Sequence, residues 1–137
     1  MNEHIYAMRI HIEDTDFVGI VYHSNYLNFM ERARSEWVEE MGFGMTWQRE
    51  HQLYFPMHSM KIDFLIPGRV HEKIEVVSKI IAIGRASFTF FQYLRFSLSP
   101  DKILCKADVK IACVNENMRP RALPEIPMLE NIRRTLT

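Results

Sequence analysis

The spacing of apolar residues changes from a period of two to a period of about 3.6 early in the chain. Residues 4–12 alternate between a more apolar and a more polar face, which predicts a first β-strand. Between residues 26 and 41, apolar side chains recur at steps of three or four, with charged side chains opposite them. This spacing predicts an amphipathic helix of roughly 17 residues, about 25 Å long. Ser24 is predicted to cap its first turn, and Gly42 suits a left-handed residue at its end.

The rest of the chain reads mostly as β-strands. Residues 45–52 predict a short second helix capped by Thr46, and Pro56 predicts that the next strand lies at an edge or bends early. Four strand-like runs then follow at residues 57–66, 70–83, 86–98 and 103–114, with breaks at Pro67-Gly68, Gly84-Arg85 and Ser99-Pro100-Asp101.

Breaks this short join antiparallel neighbours. Runs of such length extend ~33 to 46 Å, so a twisted sheet built from them can curl around the shorter helix. The pattern predicts an α+β fold in which a long antiparallel β-sheet wraps around a central α-helix. The tail after Pro124 is predicted to be a short polar helix or coil.

Composition fits one domain spanning residues 1–137. The chain is 47% hydrophobic and 25% charged, and a domain of this length buries about two thirds of its unfolded surface. Seventeen basic and seventeen acidic residues cancel, which argues against nucleic-acid binding. No apolar run is long enough to span a membrane, and the first residues lack the pattern of a secretory signal, so we expect a cytoplasmic protein.

Several common types of catalytic machinery lack support in the sequence. Cys105 and Cys113 would lie about 26 Å apart on one continuous strand, which excludes a disulfide between them. The six histidines show no metal-ligand spacing, so we expect neither a metal nor a cofactor. No G-x-S-x-G motif that would hold a nucleophilic serine is present.

Candidate chemistry concentrates just before the central helix. Asp14 and Asp16 end the first alternating run, and Gly19 permits a bend that folds them back over the amides of the helix start. On spacing alone, Asp16 is more often a loop acid that closes an Asx-turn, and His23 a polar residue near a helix start. Tyr22, likewise, is more often a packing aromatic.

The same block resembles a known family. The chain reads D-T-D-x-x-G-I-V-Y-H-S-N-Y-L and then E-R-A-R, with M-K-I-D-F-L-I-P-G-R-V at residues 60–70 and P-R-A-L-P at residues 120–124. These motifs resemble the hot-dog-fold acyl-CoA thioesterases of the 4-hydroxybenzoyl-CoA thioesterase superfamily, in its Tol-Pal-associated branch. Gly68 departs from the alanine that is frequent in this branch, and His71-Glu72 departs from its paired aspartates.

The resemblance implies a role for each candidate. Asp16 is expected to be the catalytic carboxylate and Asp14 its hydrogen-bonded structural neighbour. His23 occupies the position where a backbone N–H faces the thioester oxygen, and its imidazole is expected either to add a hydrogen bond or to orient the substrate. Tyr22 and Ser24 are expected to contact the substrate, and Arg85, with Ser87, the phosphates of CoA.

The expected reaction is hydrolysis of an acyl-CoA thioester to free acid and CoA. Asp16 would activate water or attack the carbonyl carbon directly, and the helix N-terminus would polarise the carbonyl. Two alternatives stay open, an enoyl-thioester hydratase or dehydratase and a non-catalytic module that binds acyl-CoA or acyl carrier protein. The resemblance also implies subunits paired edge to edge as a homodimer, two of which form a homotetramer, with acyl carrier protein as a further candidate partner.

Overall fold

A computed structural model describes residues 2–136, so the two end residues of the predicted domain lie outside the described residues. It contains five strands and three α-helices: β1 (His4–Arg9), α1 (His23–Glu40), α2 (Met45–His51), β2 (Met57–Phe64), β3 (Lys73–Ile83), β4 (Ser87–Phe96), β5 (Ser99–Ala112) and α3 (Pro127–Thr135). All neighbouring strands are antiparallel, and they form one sheet in the order β1-β3-β4-β5-β2. The predicted α+β arrangement is confirmed, and β2 is an edge strand as Pro56 indicated.

Helix α1 has 18 residues, close to the predicted length, and ends before Gly42, whose φ of +91° confirms the left-handed residue expected there. Neither predicted cap is present. The N-cap of α1 is Tyr22, so Ser24 lies inside the first turn, and the N-cap of α2 is Gly44 rather than Thr46. At α2 the carboxylate of Glu39 replaces the missing cap by accepting the Met45 N–H at 3.0 Å.

Two other boundaries differ from the prediction. The break expected at Ser99-Pro100-Asp101 belongs to β5, because Phe96 pairs with Ser99 and the chain reverses between them. The C-terminal segment is amphipathic rather than polar, since α3 buries Leu129 and Ile132 in the core. The segment is polar on average, but its apolar residues lie on one face and pack against the core.

The core lies between α1 and the inner face of the sheet. Alternate residues of β3, β4 and β5 face the helix and are fully buried, including Val76, Phe90 and Val109. From α1, Phe29, Met30, Ala33 and Trp37 pack against them. Each large apolar side chain buried in this way contributes about 1.5–3 kcal/mol, so the stripe on α1 fixes the rotation of the helix on the sheet.

A buried polar network crosses this core. Arg34 is only 5% exposed, and its guanidinium donates to Gln92 Oε1 at 2.8 Å and to Glu31 at 2.5 Å. Gln92 Nε2 in turn donates to the Met30 carbonyl and to Ser78 Oγ. Burial lowers the pKa of Arg34, and the carboxylate of Glu31 works in the opposite direction. The network ties α1 to β3 and β4, and each member depends on the others for its hydrogen bonds.

No helix among residues 2–136 is long and apolar enough to cross a membrane. Cys105 and Cys113 are both buried and free, in agreement with the expectation that they form no disulfide.

Candidate active site

Asp14 and Asp16 lie in a hairpin that leads directly into α1. Thr15 and Val21 form an antiparallel bridge, and the Asp16 N–H donates to the Ile20 carbonyl at 2.9 Å. Gly19, at φ +86°, closes the turn by donating to the Asp16 carbonyl at 3.0 Å. The half-buried Asp16 lies in this hairpin, and Gly19 makes the bend that the sequence predicted.

The two carboxylates have different hydrogen-bond partners. Asp14 Oδ2 accepts the backbone N–H of His11 at 2.8 Å, so Asp14 is hydrogen-bonded within its loop. Asp16 Oδ1 accepts the backbone N–H of Val18 at 2.8 Å and so closes an Asx-turn. No residue in the described part of the chain donates a hydrogen bond to Asp16 Oδ2. That oxygen is free for chemistry while the other holds the turn.

The start of α1 presents unpaired amide groups. The N-cap residue, Tyr22, is extended (φ −64°, ψ 129°), and its N–H donates to the Asp14 carbonyl at 3.0 Å. The backbone N–H groups of His23 and Ser24 find no acceptor within residues 2–136. Because no side chain caps this end, both donors can face a ligand, and the helix dipole adds partial positive charge.

Aromatic and apolar side chains enclose a cavity beside this helix end. The His23 ring lies 4.5 Å from the Tyr22 ring and 6.3 Å from the Phe64 ring, measured between centroids. Phe64 also contacts Tyr26, with 5.7 Å between ring centroids. The cavity has a volume of about 200 Å³ and is lined by Ile20, Val21, His23, Tyr26, Phe64, Leu65, Ile66 and Pro67. It can take a small apolar group next to the two free amides.

Gly68 fixes the loop that forms one wall of this cavity. Its N–H donates to the Tyr26 hydroxyl at 2.9 Å, and its carbonyl accepts the Val21 N–H at 2.9 Å. A Cβ at this position would lie 2.6 Å from Ile10 Cδ1 and 2.9 Å from Leu104 Cδ2, so any larger residue here would require these side chains to shift. Burial raises the pKa of Tyr26 above its ordinary value, and the hydrogen bond from Gly68 works in the opposite direction.

Arg85 and Ser87 lie far from this cluster within one chain. Arg85 lies in the turn between β3 and β4, and Ser87 is the first residue of β4. Here the Gly84 N–H donates to the Ser87 carbonyl and the Leu123 N–H donates to the Arg85 carbonyl, each at 2.7 Å. Helix α1 begins at the opposite end of the sheet, and a strand of ten residues such as β4 is about 33 Å long. A single chain therefore brings together Asp16, Tyr22, His23 and Ser24, but neither Arg85 nor Ser87.

Three residues of the site were not singled out from the sequence. Asn25 donates from Nδ2 to the Asp14 carbonyl at 2.9 Å, and Tyr26 and Phe64 line the cavity. The hydrogen bond of Asn25 could have been predicted, because short polar side chains in the first turn of a helix commonly bond to the backbone of the preceding turn. Tyr26 was noted only as part of the apolar stripe. Among residues 2–136 no group of three or more His, Cys, Asp or Glu side chains could hold a metal ion.

The whole arrangement lies inside the region that a family model matches. The model describes the thioesterase-like superfamily and covers residues 10–134. The chain belongs to this superfamily. Within it, the chain is 34% identical over 122 residues to the acyl-CoA thioesterase YbgC of Haemophilus influenzae, with 88% of each chain covered. The corresponding Helicobacter pylori protein is 30% identical over 125 residues, covering 86% of this chain and 92% of its own.

Solved structures of thioesterases agree with this assignment. A probable thioesterase from Bartonella henselae is 35% identical, with a TM-score of 0.82, and the match covers 89% of this chain and 99% of that chain. A DHNA-CoA thioesterase from Staphylococcus aureus superposes with a TM-score of 0.85 at 17% identity, covering 99% and 91%, which supports the fold alone. This member of the superfamily is a thioester hydrolase with the expected hot-dog fold.

Proposed function

We propose that this thioesterase hydrolyses acyl-CoA at the start of α1, with Asp16 as the catalytic carboxylate. One observation carries the proposal: the hairpin that bears Asp16, with one carboxylate oxygen free of donors in the described residues, leads directly into a helix start whose first two amides, those of His23 and Ser24, are unpaired there. Relatives that match most of the chain are named acyl-CoA thioesterases, which supports acyl-CoA as the substrate class.

The two amides are suited to the charge that develops on the thioester oxygen. One such preorganised donor is typically worth about 3 to 4 kcal/mol in the transition state, and a helix N-terminus adds a favourable dipole. His23 and Ser24 would thus bind the oxyanion through their backbones. The His23 imidazole and the Tyr22 ring would border the sulfur and the acyl group.

Asp16 Oδ2 can complete the reaction by either of two routes. As a general base, it takes a proton from water while the water oxygen bonds to the carbonyl carbon, and the C–S bond then breaks to release the thiol. As a nucleophile, it bonds to the carbonyl carbon, expels the thiolate and leaves a mixed anhydride that water opens. Both routes give one free acid and one CoA.

We further propose that the complete site needs a second copy of the chain. Within residues 2–136 the outer edge of β2 has no partner strand, and an open edge invites pairing with another chain. Two-fold antiparallel pairing along β2 would place opposite ends of the sheet side by side. Arg85 and Ser87 of the partner subunit would then come near Asp16 and could meet the CoA phosphates.

The finer expectations rest on the family resemblance. They are a homotetramer built from two such dimers, acyl carrier protein as a further partner, association with the Tol-Pal system and a place in the cytoplasm. Light scattering on the purified protein tests the homotetramer. A stable monomer at micromolar concentration would contradict both the homotetramer and a site shared between two subunits.

Exchange of Asp16 for asparagine tests the central proposal. In Asp16→Asn the side-chain oxygen can still accept the Val18 N–H, so the turn and the melting temperature should be preserved. We expect kcat for a panel of acyl-CoA thioesters to fall by roughly 10² to 10⁴-fold, because the basic oxygen is lost.

Asp14→Asn is the matched control, since its side chain can still accept the His11 N–H. A loss of less than about tenfold for Asp16→Asn, or a larger loss for Asp14→Asn, would contradict the assignment of Asp16. Binding of acyl-CoA without any turnover in the wild type would favour a binding module instead.

A further inference from the structure

A second, larger cavity lies at the same end of the sheet as the start of α1. It has a volume of about 690 Å³ and opens between the loop that joins β2 to β3 and the hairpin that joins β4 to β5. Its apolar walls include Pro67, Phe96 and Leu98. It shares Ile66 and Pro67 with the cavity beside His23, so the two cavities lie on either side of one short segment. Nothing in the proposed reaction uses this larger cavity.

The lining of this cavity is strongly basic. Arg69, Lys73 and Lys102 line it, together with His71. The one carboxylate in the lining is Glu72, whose Oε1 is already engaged as the acceptor of the Arg69 backbone N–H at 2.6 Å. The chain as a whole has no net charge, so this local excess of positive charge stands out from the average.

The three cations of this lining are Arg69, Lys73 and Lys102. In the described part of the chain, none of these three forms an ion pair, whereas Lys79, on the same strand as Lys73, pairs with Glu3. Unpaired positive charges around one concave surface produce a focused potential that attracts anions.

The backbone around the cavity is held in place. The His71 N–H donates to the Ile10 carbonyl at 2.7 Å, with His71 at φ +70°, a left-handed conformation that is uncommon for a residue other than glycine. The Ser97 N–H donates to the Lys73 carbonyl at 3.0 Å and joins the hairpin to the loop. The cationic side chains therefore project from a fixed frame.

We propose that this cavity binds a phosphate-bearing organic anion. Arg69, Lys73 and Lys102 supply the charged donors that phosphate oxygens accept, and Arg can do so in a bidentate manner. Phe96 and Leu98, the latter 91% exposed, offer apolar surface for a base or another flat group. The volume falls in the range of typical small-molecule sites, about 300 to 1,000 Å³. A nucleotide has both the phosphate groups and the flat apolar ring that this lining selects.

Two sources of such a nucleotide are compatible with the position of the cavity. The first is the nucleotide end of acyl-CoA itself, which rests on the proposed function and uses the shared wall at Ile66 and Pro67. The second is a separate nucleotide that binds beside the active site.

Titration calorimetry with adenosine 3′,5′-bisphosphate tests the site without any turnover. We expect saturable binding to the wild-type protein and a Kd raised about tenfold or more in Arg69→Ala and in Lys102→Ala. Lys110→Ala is the matched control, because Lys110 is an exposed lysine of the same strand β5 that does not line the cavity. Leu98→Ser should raise the Kd for the bisphosphate, which has a base, but leave the Kd for inorganic pyrophosphate, which has none, unchanged. Absence of saturable binding up to millimolar concentration, or equal weakening by Lys110→Ala, would overturn the proposal.

Kinetics then distinguish the two sources. If the occupant is the substrate's own nucleotide, Lys102→Ala raises KM for acyl-CoA but not for the same acyl thioester of pantetheine. If KM stays unchanged while the Kd for the bisphosphate rises, the occupant is a separate nucleotide. Both outcomes keep the cavity as a phosphate site. Failure to hydrolyse any acyl-CoA would count against the proposed function and leave the titration to decide this site.

Discussion

Asn25, on the first turn of α1, donates a hydrogen bond from Nδ2 to the backbone carbonyl of Asp14 at 2.9 Å. The bond connects the helix that carries the unpaired amides to the hairpin that carries Asp16. Because the proposed catalytic carboxylate and the proposed oxyanion donors belong to different elements, their separation depends on contacts of this kind.

We expect Asn25→Ala to reduce kcat more than it reduces stability. Loss of one partly exposed hydrogen bond costs about 1 kcal/mol of unfolding free energy, whereas a small misplacement of a reacting group costs roughly ten- to a hundredfold in rate. Steady-state kinetics and urea denaturation measure the two effects. Asn28→Ala is the control, because Asn28 donates only to Asn25 Oδ1 at 3.1 Å. A wild-type kcat in Asn25→Ala would show that backbone bonds alone position the hairpin.

Mixing two impaired variants tests whether the site is shared between subunits. In a mixed dimer of Asp16→Asn with Arg85→Ala, one site contains the intact Asp16 of one chain and the intact Arg85 of the other. After denaturation and joint refolding, about a quarter of the wild-type rate should return at low acyl-CoA concentration, because half of the dimers are mixed and each has one complete site. Each variant refolded alone is the control. A mixture no more active than the mean of its two components would rule out a shared site.

The buried network around Gln92 predicts a large loss of stability on its disruption. Gln92→Leu removes an acceptor from the buried guanidinium of Arg34 and leaves Ser78 and the Met30 carbonyl without their donor. We expect the unfolding free energy to fall by about 2–4 kcal/mol.

The matched control for this network is Arg95→Gln. It breaks a hydrogen-bonded ion pair to Glu75 on the outer part of the sheet, where Arg95 retains 22% of its side-chain exposure. That pair should contribute less than about 1 kcal/mol because water screens it. If Gln92→Leu and Arg95→Gln lower the unfolding free energy equally in urea denaturation, burial does not make the Gln92 network more important than the partly exposed pair.

Cys105 predicts a loss of stability in alkaline solution. Burial raises the pKa of its thiol from 9.0 to about 12, and burial raises the pKa of Cys113 as well. Above about pH 9 the unfolded chain loses the thiol proton and the folded chain keeps it, so the unfolding free energy falls, by about 1.4 kcal/mol per pH unit for Cys105.

Denaturation curves between pH 8 and 10.5 measure this slope, which should be shallower in Cys105→Ala. Identical slopes in the two proteins would contradict the assignment to Cys105. Neither native thiol should react readily with a thiol reagent at neutral pH, so colour in a CoA-release assay reports the product alone.

Local sequence patterns were sufficient to predict helix α1 and the order of the strands along the chain. A period of 3.6 or of two depends on neighbouring residues alone, and the apolar stripe on α1 matches the residues buried in the core. The family motif likewise placed Asp16 and His23 together, since its residues lie within one hairpin and one helical turn.

Element ends and distant pairings required the tertiary structure. Ser24 has the side chain of a cap, but the bond from the Tyr22 N–H to the Asp14 carbonyl holds Tyr22 extended and starts the helix one residue before Ser24. Similarly, Ser99 looks like part of a break, yet the ladder with β4 continues to it because Phe96 is its partner.

The contacts that shape the two cavities join residues far apart in the chain. Gly68 meets Tyr26, and Arg69 lines the same cavity as Lys102. The order of the strands in the sheet decides which loops meet at its end, and that order depends on long-range pairing which no local pattern encodes. The sequence by itself therefore determined the elements and the family motif, while tertiary packing alone decided which side chains surround them.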